Sequence, residues 1–206
     1  MLAAAVFVAL LDVAAIANAV PPCEKTVAHC YGLQLHVGVD EDGPVATPEF
    51  IASQVAVANK HFAAIDVAFQ LAAVVEHSTP EVLTRRERDT VARTRKGPPV
   101  IDVFLVAKLG DIDIKDAEIN GVAWKVPKKT HKVIFVSAKA WDRTLAHELG
   151  HIFGLPHSTY DISIMNKTKR DEPPLDQRTF ADEELAIMRA QRKRLVRNKV
   201  IAPAKR

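Results

Sequence analysis

His147-Glu148-Leu149-Gly150-His151-Ile152-Phe153-Gly154-Leu155-Pro156-His157, with Ser163-Ile164-Met165-Asn166 a few residues on, is the stretch that decides how this chain reads. On a helix, His147 and His151 lie one turn apart on a common face, close enough for two imidazoles to share one metal ion. Leu145, Leu149 and Ile152 then face the core, and Asp142 or the Ala140-Trp141 turn can start the helix. A helix running straight on would carry His157 away. Gly154 supplies a permissive backbone for a sharp turn, and Pro156 stops the helix from resuming. His157 therefore returns as a third nitrogen ligand.

Three protein ligands with one open position form the donor set of catalytic zinc, whereas structural zinc is closed by four. Glu148, next to the first histidine, cannot usefully bind the same ion from its angle. It is placed to hold a water molecule and take its proton. The expected chemistry is hydrolysis of a peptide bond by zinc-activated water, with one catalytic Zn2+ and Glu148 as general base. Met165, in a tight turn beneath the ligands, would fix their rings. The alternative is a catalytically silent protein of the same fold that keeps zinc for stability or recognition. An intact Glu148 argues against it, because a structural site has no need of a base.

The motif from Thr144 to Met165 resembles that of the metzincin zinc peptidases. His157-Ser158-Thr159, with Met165 eight positions after the third histidine, is most similar to the matrixin branch. The resemblance implies an α/β (α+β) metzincin-like zincin fold: a mixed twisted sheet, two long helices behind it, an active-site helix, a Met-turn and a C-terminal helix below the cleft. It also implies an antiparallel edge strand that binds extended substrate, which by position is Gly121, Val122, Ala123 and Trp124, running to Lys125. This chain departs from matrixins in lacking a recognisable calcium loop, structural-zinc loop or inhibitory-cysteine motif. Tyr160 does not stand where astacins place a tyrosine after the Met-turn.

Outward from the motif, Val133-Ile134-Phe135-Val136 reads as an interior strand feeding into it, and Val100 to Val106 as a central strand covered on both faces. Val122, Trp124 and Val126 alternate before Pro127, as suits a sheet edge. Leu33, Leu35, Val37 and Val39 alternate as a half-buried strand, and Val67, Phe69 and Leu71 begin another. Between them Thr47-Pro48-Glu49 is a helix start, with Thr47 as N-cap. The Arg- and Glu-rich residues 82–96 read as a short helix or loop with a solvated charged face. A last helix starts near Phe180, capped by Thr179 or Asp182, with Leu185, Met188, Leu195 and Val196 on one face.

The chain has 206 residues, 48% of them hydrophobic, and a formal net charge of +3. That suits one catalytic domain over residues 20–206 and gives no general case for a nucleic-acid partner. The basic face of the last helix reads as solvated. Residues 1–19 read as a signal peptide, an apolar run ending in Ala17-Asn18-Ala19, although no Lys or Arg precedes it and Asp12 interrupts it. Export to a secreted or periplasmic location follows, with no stable membrane anchor, since the run is shorter than a span. Cys23 and Cys30 then read as a disulfide loop near the new N-terminus. Asp111, Asp113 and Asp116 invite calcium, but the spacing lacks the glycine and terminal glutamate of an EF-hand loop. The expected partner is a protein or peptide substrate, bound by a monomer.

Overall fold

The computed structural model describes residues 13–94, 99–129 and 131–204. The chain begins with helix α1 (Val13–Ala19), strand β1 (His29–Asp40), the two-residue strand β2 (Gly43–Pro44), helix α2 (Pro48–Phe62) and strand β3 (Val67–His77). Strand β4 (Glu81–Val82), helix α3 (Arg85–Ala92), strand β5 (Ile101–Val106) and strand β6 (Lys108–Leu109) follow. Strands β7 (Gly121–Lys125) and β8 (Lys132–Ser137), helix α4 (Thr144–Ile152) and helix α5 (Asp182–Arg197) complete it.

The main sheet is mixed. β3, β1, β5 and β8 run parallel in that order, β7 pairs antiparallel with β8 at one edge, and β2 turns back on the end of β1. Parallel neighbours need crossovers, and α2 is the one that carries β1 over to β3. Thr47 caps α2 by accepting from the Phe50 N–H at 3.2 Å, and Pro48 sits in its first turn where a missing N–H costs nothing.

Each sheet face buries its own core, which is why β5 is apolar but for Asp102. Leu33, Leu35, Val37, Val103, Leu105, Ile134 and Val136 face α2 and α4, which contribute Ile51, Val55, Phe62, Leu145 and Leu149. Phe62 meets the rings of Phe69, Phe153 and Phe180 edge-on at centroid distances of 4.9, 5.0 and 5.3 Å. One aromatic cluster thereby ties α2, β3, the end of α4 and the start of α5 together. On the opposite face Phe104, Val106, Val133 and Phe135 pack with Val82, Val91, Leu109 and Val126.

Two local expectations need correction. α3 is a capped helix, with Thr84 accepting from the Glu87 N–H and Glu87 from the Thr84 N–H, but its charges are not all solvated. Arg88 is only 2% exposed and donates to the Gly110 carbonyl, because the loop after β6 folds over it. At α5, neither Thr179 nor Asp182 is the cap. Ala181 holds that position, and the Glu184 carboxylate reaches back to accept its N–H at 2.8 Å.

Residues 1–12 of the expected leader lie outside the described residues. α1 covers its remainder, and Ile16 and Val20 are buried in the core shared with α2 and β3. Cys23 and Cys30 are joined by a disulfide that ties the segment after α1 to the first strand. Among the described residues no helix is long and apolar enough to cross a membrane.

Candidate metal centre

α4 lacks a side-chain cap of its own, since Arg143 stands at the N-cap position and bonds none of the free N–H groups. α2 supplies the missing partner. The buried Gln54 amide accepts from the Leu145 N–H at 2.9 Å and donates to the Trp141 carbonyl at 2.8 Å. A helix start buried without such partners would leave orphaned donors. The other end closes on Gly154, whose φ of +93° lets the Leu155 N–H reach the Gly150 carbonyl at 3.0 Å and its own N–H reach His151 at 3.3 Å. This is the paired-bond helix stop that a left-handed glycine permits, and it turns the chain back towards His157.

His147, His151 and His157 each offer a ring nitrogen, and these atoms lie within 4.8 Å of one another. Two of the rings are held from behind. Nδ1 of His147 lies 2.8 Å from the Ile164 carbonyl and Nδ1 of His151 lies 2.7 Å from the Leu155 carbonyl. A carbonyl can only accept, so both Nδ1 atoms carry the proton and both Nε2 atoms keep a free lone pair. That is the arrangement metal-binding histidines require. Burial lowers the proton affinity of all three, taking His151 to about 4, so the rings are neutral at ordinary pH. The donor set thus fits a zinc ion: three neutral nitrogens, with no further His, Cys, Asp or Glu grouped with them among the described residues.

Glu148 points from the same helix and is 5% exposed. Burial pushes its carboxyl up to about 8, against the opposing pull of the Ala123 backbone, Lys132 and Lys167. β7 passes directly over it. A Cβ on Gly121 would stand 2.6 Å from Thr144 Cγ2 and 3.1 Å from Glu148 Oε1, so only glycine lets the strand come this close. Val122, Ala123 and Trp124 continue along the edge, and among the described residues no strand pairs the outer side of β7.

Met165 is fully buried beneath the histidines, with its sulfur against Gly150 of α4, where an added Cβ would lie only 2.6 Å away. The turn that carries it is held by groups the motif does not contain. The Ser163 hydroxyl accepts from the Met165 N–H at 2.9 Å and donates to the buried Glu184 carboxylate of α5 at 2.7 Å. Arg170 donates to the carbonyls of Asp161, Ser163, Asn166 and Thr168, filling its guanidinium with the backbone of this loop. Gln54, Gly150, Arg170 and Glu184 escape a sequence reading because their partners are distant or main-chain. The one legible hint is Glu184, an acidic residue in the first turn of a helix.

Other sequence candidates stand apart. The Asp111 carboxylate accepts from the N–H groups of Asp113 and Ile114 in an exposed turn. His36 is buried on the other sheet face, Nε2 at 2.9 Å from Asp102 and its ring stacked on Phe104, while His61 packs edge-on against Phe180.

No family model matches the sequence, and no curated protein matches it either. Solved structures do. Metalloproteinase-II from Bacteroides fragilis superposes with a TM-score of 0.57 at 13% identity, over 82% of this chain and 55% of that one. Archaemetzincin from Methanopyrus kandleri superposes with a TM-score of 0.53 at 18% identity, over 79% of this chain and 96% of that one. The fold is that of a metzincin-like zincin. The chain spans about half the length of the Bacteroides protein, and at these identities the likeness concerns architecture. α4, the turn that carries Met165, and α5 follow one another in the expected order within it.

Proposed function

We propose that this chain is a zinc-dependent metalloendopeptidase in which His147, His151 and His157 hold the ion and Glu148 is the general base. The observation that carries the reading is the pair of histidines anchored through Nδ1, with a buried carboxylate beside them and, above, a strand edge that no strand pairs among the described residues. When bound there, zinc supplies a Lewis acid for the substrate carbonyl and acidifies water. The chain's own residues do the rest. The outer edge of β7 offers backbone N–H and C=O groups to an extended peptide. Glu148 accepts the proton of the attacking water and returns it to the leaving amine. Burial alone would keep this carboxyl protonated at neutral pH, and a bound zinc ion beside it would offset that and leave Glu148 ionised to serve as the base. Met165 and the Ser163–Glu184 pair keep the Ile164 carbonyl against His147, so that ring does not swing as substrate binds.

Replacing Glu148 by Gln keeps shape and hydrogen bonding while removing the base. The expected result is unchanged zinc content with cleavage of a denatured-protein substrate reduced by about a thousandfold or more, a loss of base catalysis on top of one misplaced water. Full activity in that variant contradicts the assignment, and zinc binding without cleavage in the wild type favours a silent binding protein instead.

Assignment to the matrixin branch belongs to the same proposal and rests on His157-Ser158-Thr159 and the spacing to Met165. Export is likewise proposed, supported by the Cys23–Cys30 disulfide, which persists in oxidising compartments. Cleavage before Val20 removes Ile16 from the core, so N-terminal sequencing of the protein from its native host is the direct check. A start at Val20 in exported protein is expected, and cell-retained protein that keeps Ile16 contradicts it.

A further inference from the structure

A cavity of about 130 Å³ opens beside the metal centre, past His151, and the hydrolytic mechanism leaves it without a role. Ile101, Ile152 and Ile201 give it buried apolar walls, and Lys132, Gln191 and His151 its polar ones. At roughly 30 Å³ per water, the space takes a medium-sized side chain. Lys132 enters from the first residue of β8, and its ammonium donates to the His151 carbonyl at 3.2 Å. That single bond places a cation at the carboxyl end of α4, where the helix dipole favours it, and leaves further N–H donors to face a ligand.

Lysines outnumber acids around the cavity, and Glu148 is the carboxylate that acts on Lys132. Lys125 of β7 pairs directly across from Lys132, and Lys128 and Lys129 occupy the turn between the strands. From Gly121 to Trp141 the sequence contains no acidic residue. Like charges facing each other across two strands oppose the pairing, and a carboxylate lying between them would relieve that cost. Lysines on an edge strand also discourage aggregation, which explains Lys125. Lys132 is exposed at the start of β8, yet its ammonium is held against the His151 carbonyl, and edge protection does not explain that placement. Lys167, just past the Met-turn, adds positive potential at His147, His157 and Glu148.

We propose that this cavity is a substrate subsite for an acidic side chain, with Lys132 binding its carboxylate and Lys125 assisting at the mouth. The inference rests on the peptidase reading and narrows it to peptides that carry Asp or Glu at a fixed position close to the scissile bond.

Matched peptides that differ only in Glu, Gln or Lys at each position around the scissile bond test this on the zinc-loaded wild type, Lys132→Glu and Lys115→Glu. Lys115 is a fully hydrated lysine in the acidic loop, 92% exposed, and controls for net charge. The wild type is expected to favour Glu over Lys at one position by about tenfold or more in kcat/KM, as a charge-assisted contact beside the reacting bond provides. Lys132→Glu reverses that preference and Lys115→Glu does not. Cleavage without a charge preference, or with one that Lys132→Glu leaves in place, overturns the subsite and leaves the peptidase reading intact. If no peptide is cleaved, anisotropy binding of the labelled Glu and Lys peptides to the same proteins decides the matter. Tighter binding of the Glu peptide that is lost in Lys132→Glu supports the subsite, while equal binding or none overturns it.

Discussion

Gly150 fills a position the zinc motif leaves open, yet the Met165 sulfur rests where its Cβ would be. Alanine there would gain helix propensity of about 1 kcal/mol against a similar overpacking cost, so the two nearly cancel. Valine is different, since its branched Cβ cannot evade the methionine. Gly150→Val is expected to destabilise the protein by about 3 kcal/mol, the upper end of overpacking costs, and to weaken zinc binding by displacing the Ile164 carbonyl from His147. Thermal melting and zinc titration check this. His151 yields a pH prediction for the metal-free protein. Its folded proton affinity, at about 4, lies below the ordinary 6.5 of the unfolded chain, so the unfolded state binds the extra proton between these values. Stability from this group is therefore present above pH 6.5 and lost as the pH falls towards 4. Melting temperature should fall across that window, and less steeply in His151→Gln.

At the scale of elements, the proposed substrate strand is held by α3. Arg85 and Arg88 place their guanidinium carbons 5.2 and 5.0 Å from the Trp124 ring, and the indole N–H donates to Asp89 at 2.9 Å. A two-sided hold on one residue fixes the height of β7 above Glu148. Asp89→Ala removes one bond of this clamp, worth about 1 kcal/mol, far from the metal. The expected outcome is a several-fold fall in kcat/KM on peptides with zinc content unchanged, as a small misplacement of a positioning element gives. Unaltered kinetics would detach α3 from function. Gln54 is the comparable device for α4, and both act through partners that no local sequence window contains.

For the molecule as a whole, what was legible follows from period and punctuation. β1, β5 and β8 announce themselves by alternation or by mostly apolar runs, α2 by Thr47 and Pro48, and the turn to His157 by Gly154 and Pro156. Those signals are local, and the candidate metal centre is legible because its histidines lie within eleven residues on one helix and its exit turn. The supporting structure was not legible. Arg88 reads as a surface charge until the loop after β6 covers it, and nothing around Arg170 in the sequence points to its carbonyl partners. Long-range burial of a cation has no sequence period. The cavity beside His151 is also a product of assembly, drawing on β5, β8, α4, α5 and the chain after it.

The central claim is an open three-histidine zinc centre, and X-ray absorption at the zinc edge of the metal-loaded protein tests it most directly. The account predicts one zinc per chain with three imidazole nitrogens at about 2.0–2.1 Å and one further light atom from solvent. It also predicts loss of the metal when His147, His151 or His157 is replaced. A sulfur ligand, a shell closed by four protein groups, or no zinc uptake would contradict it.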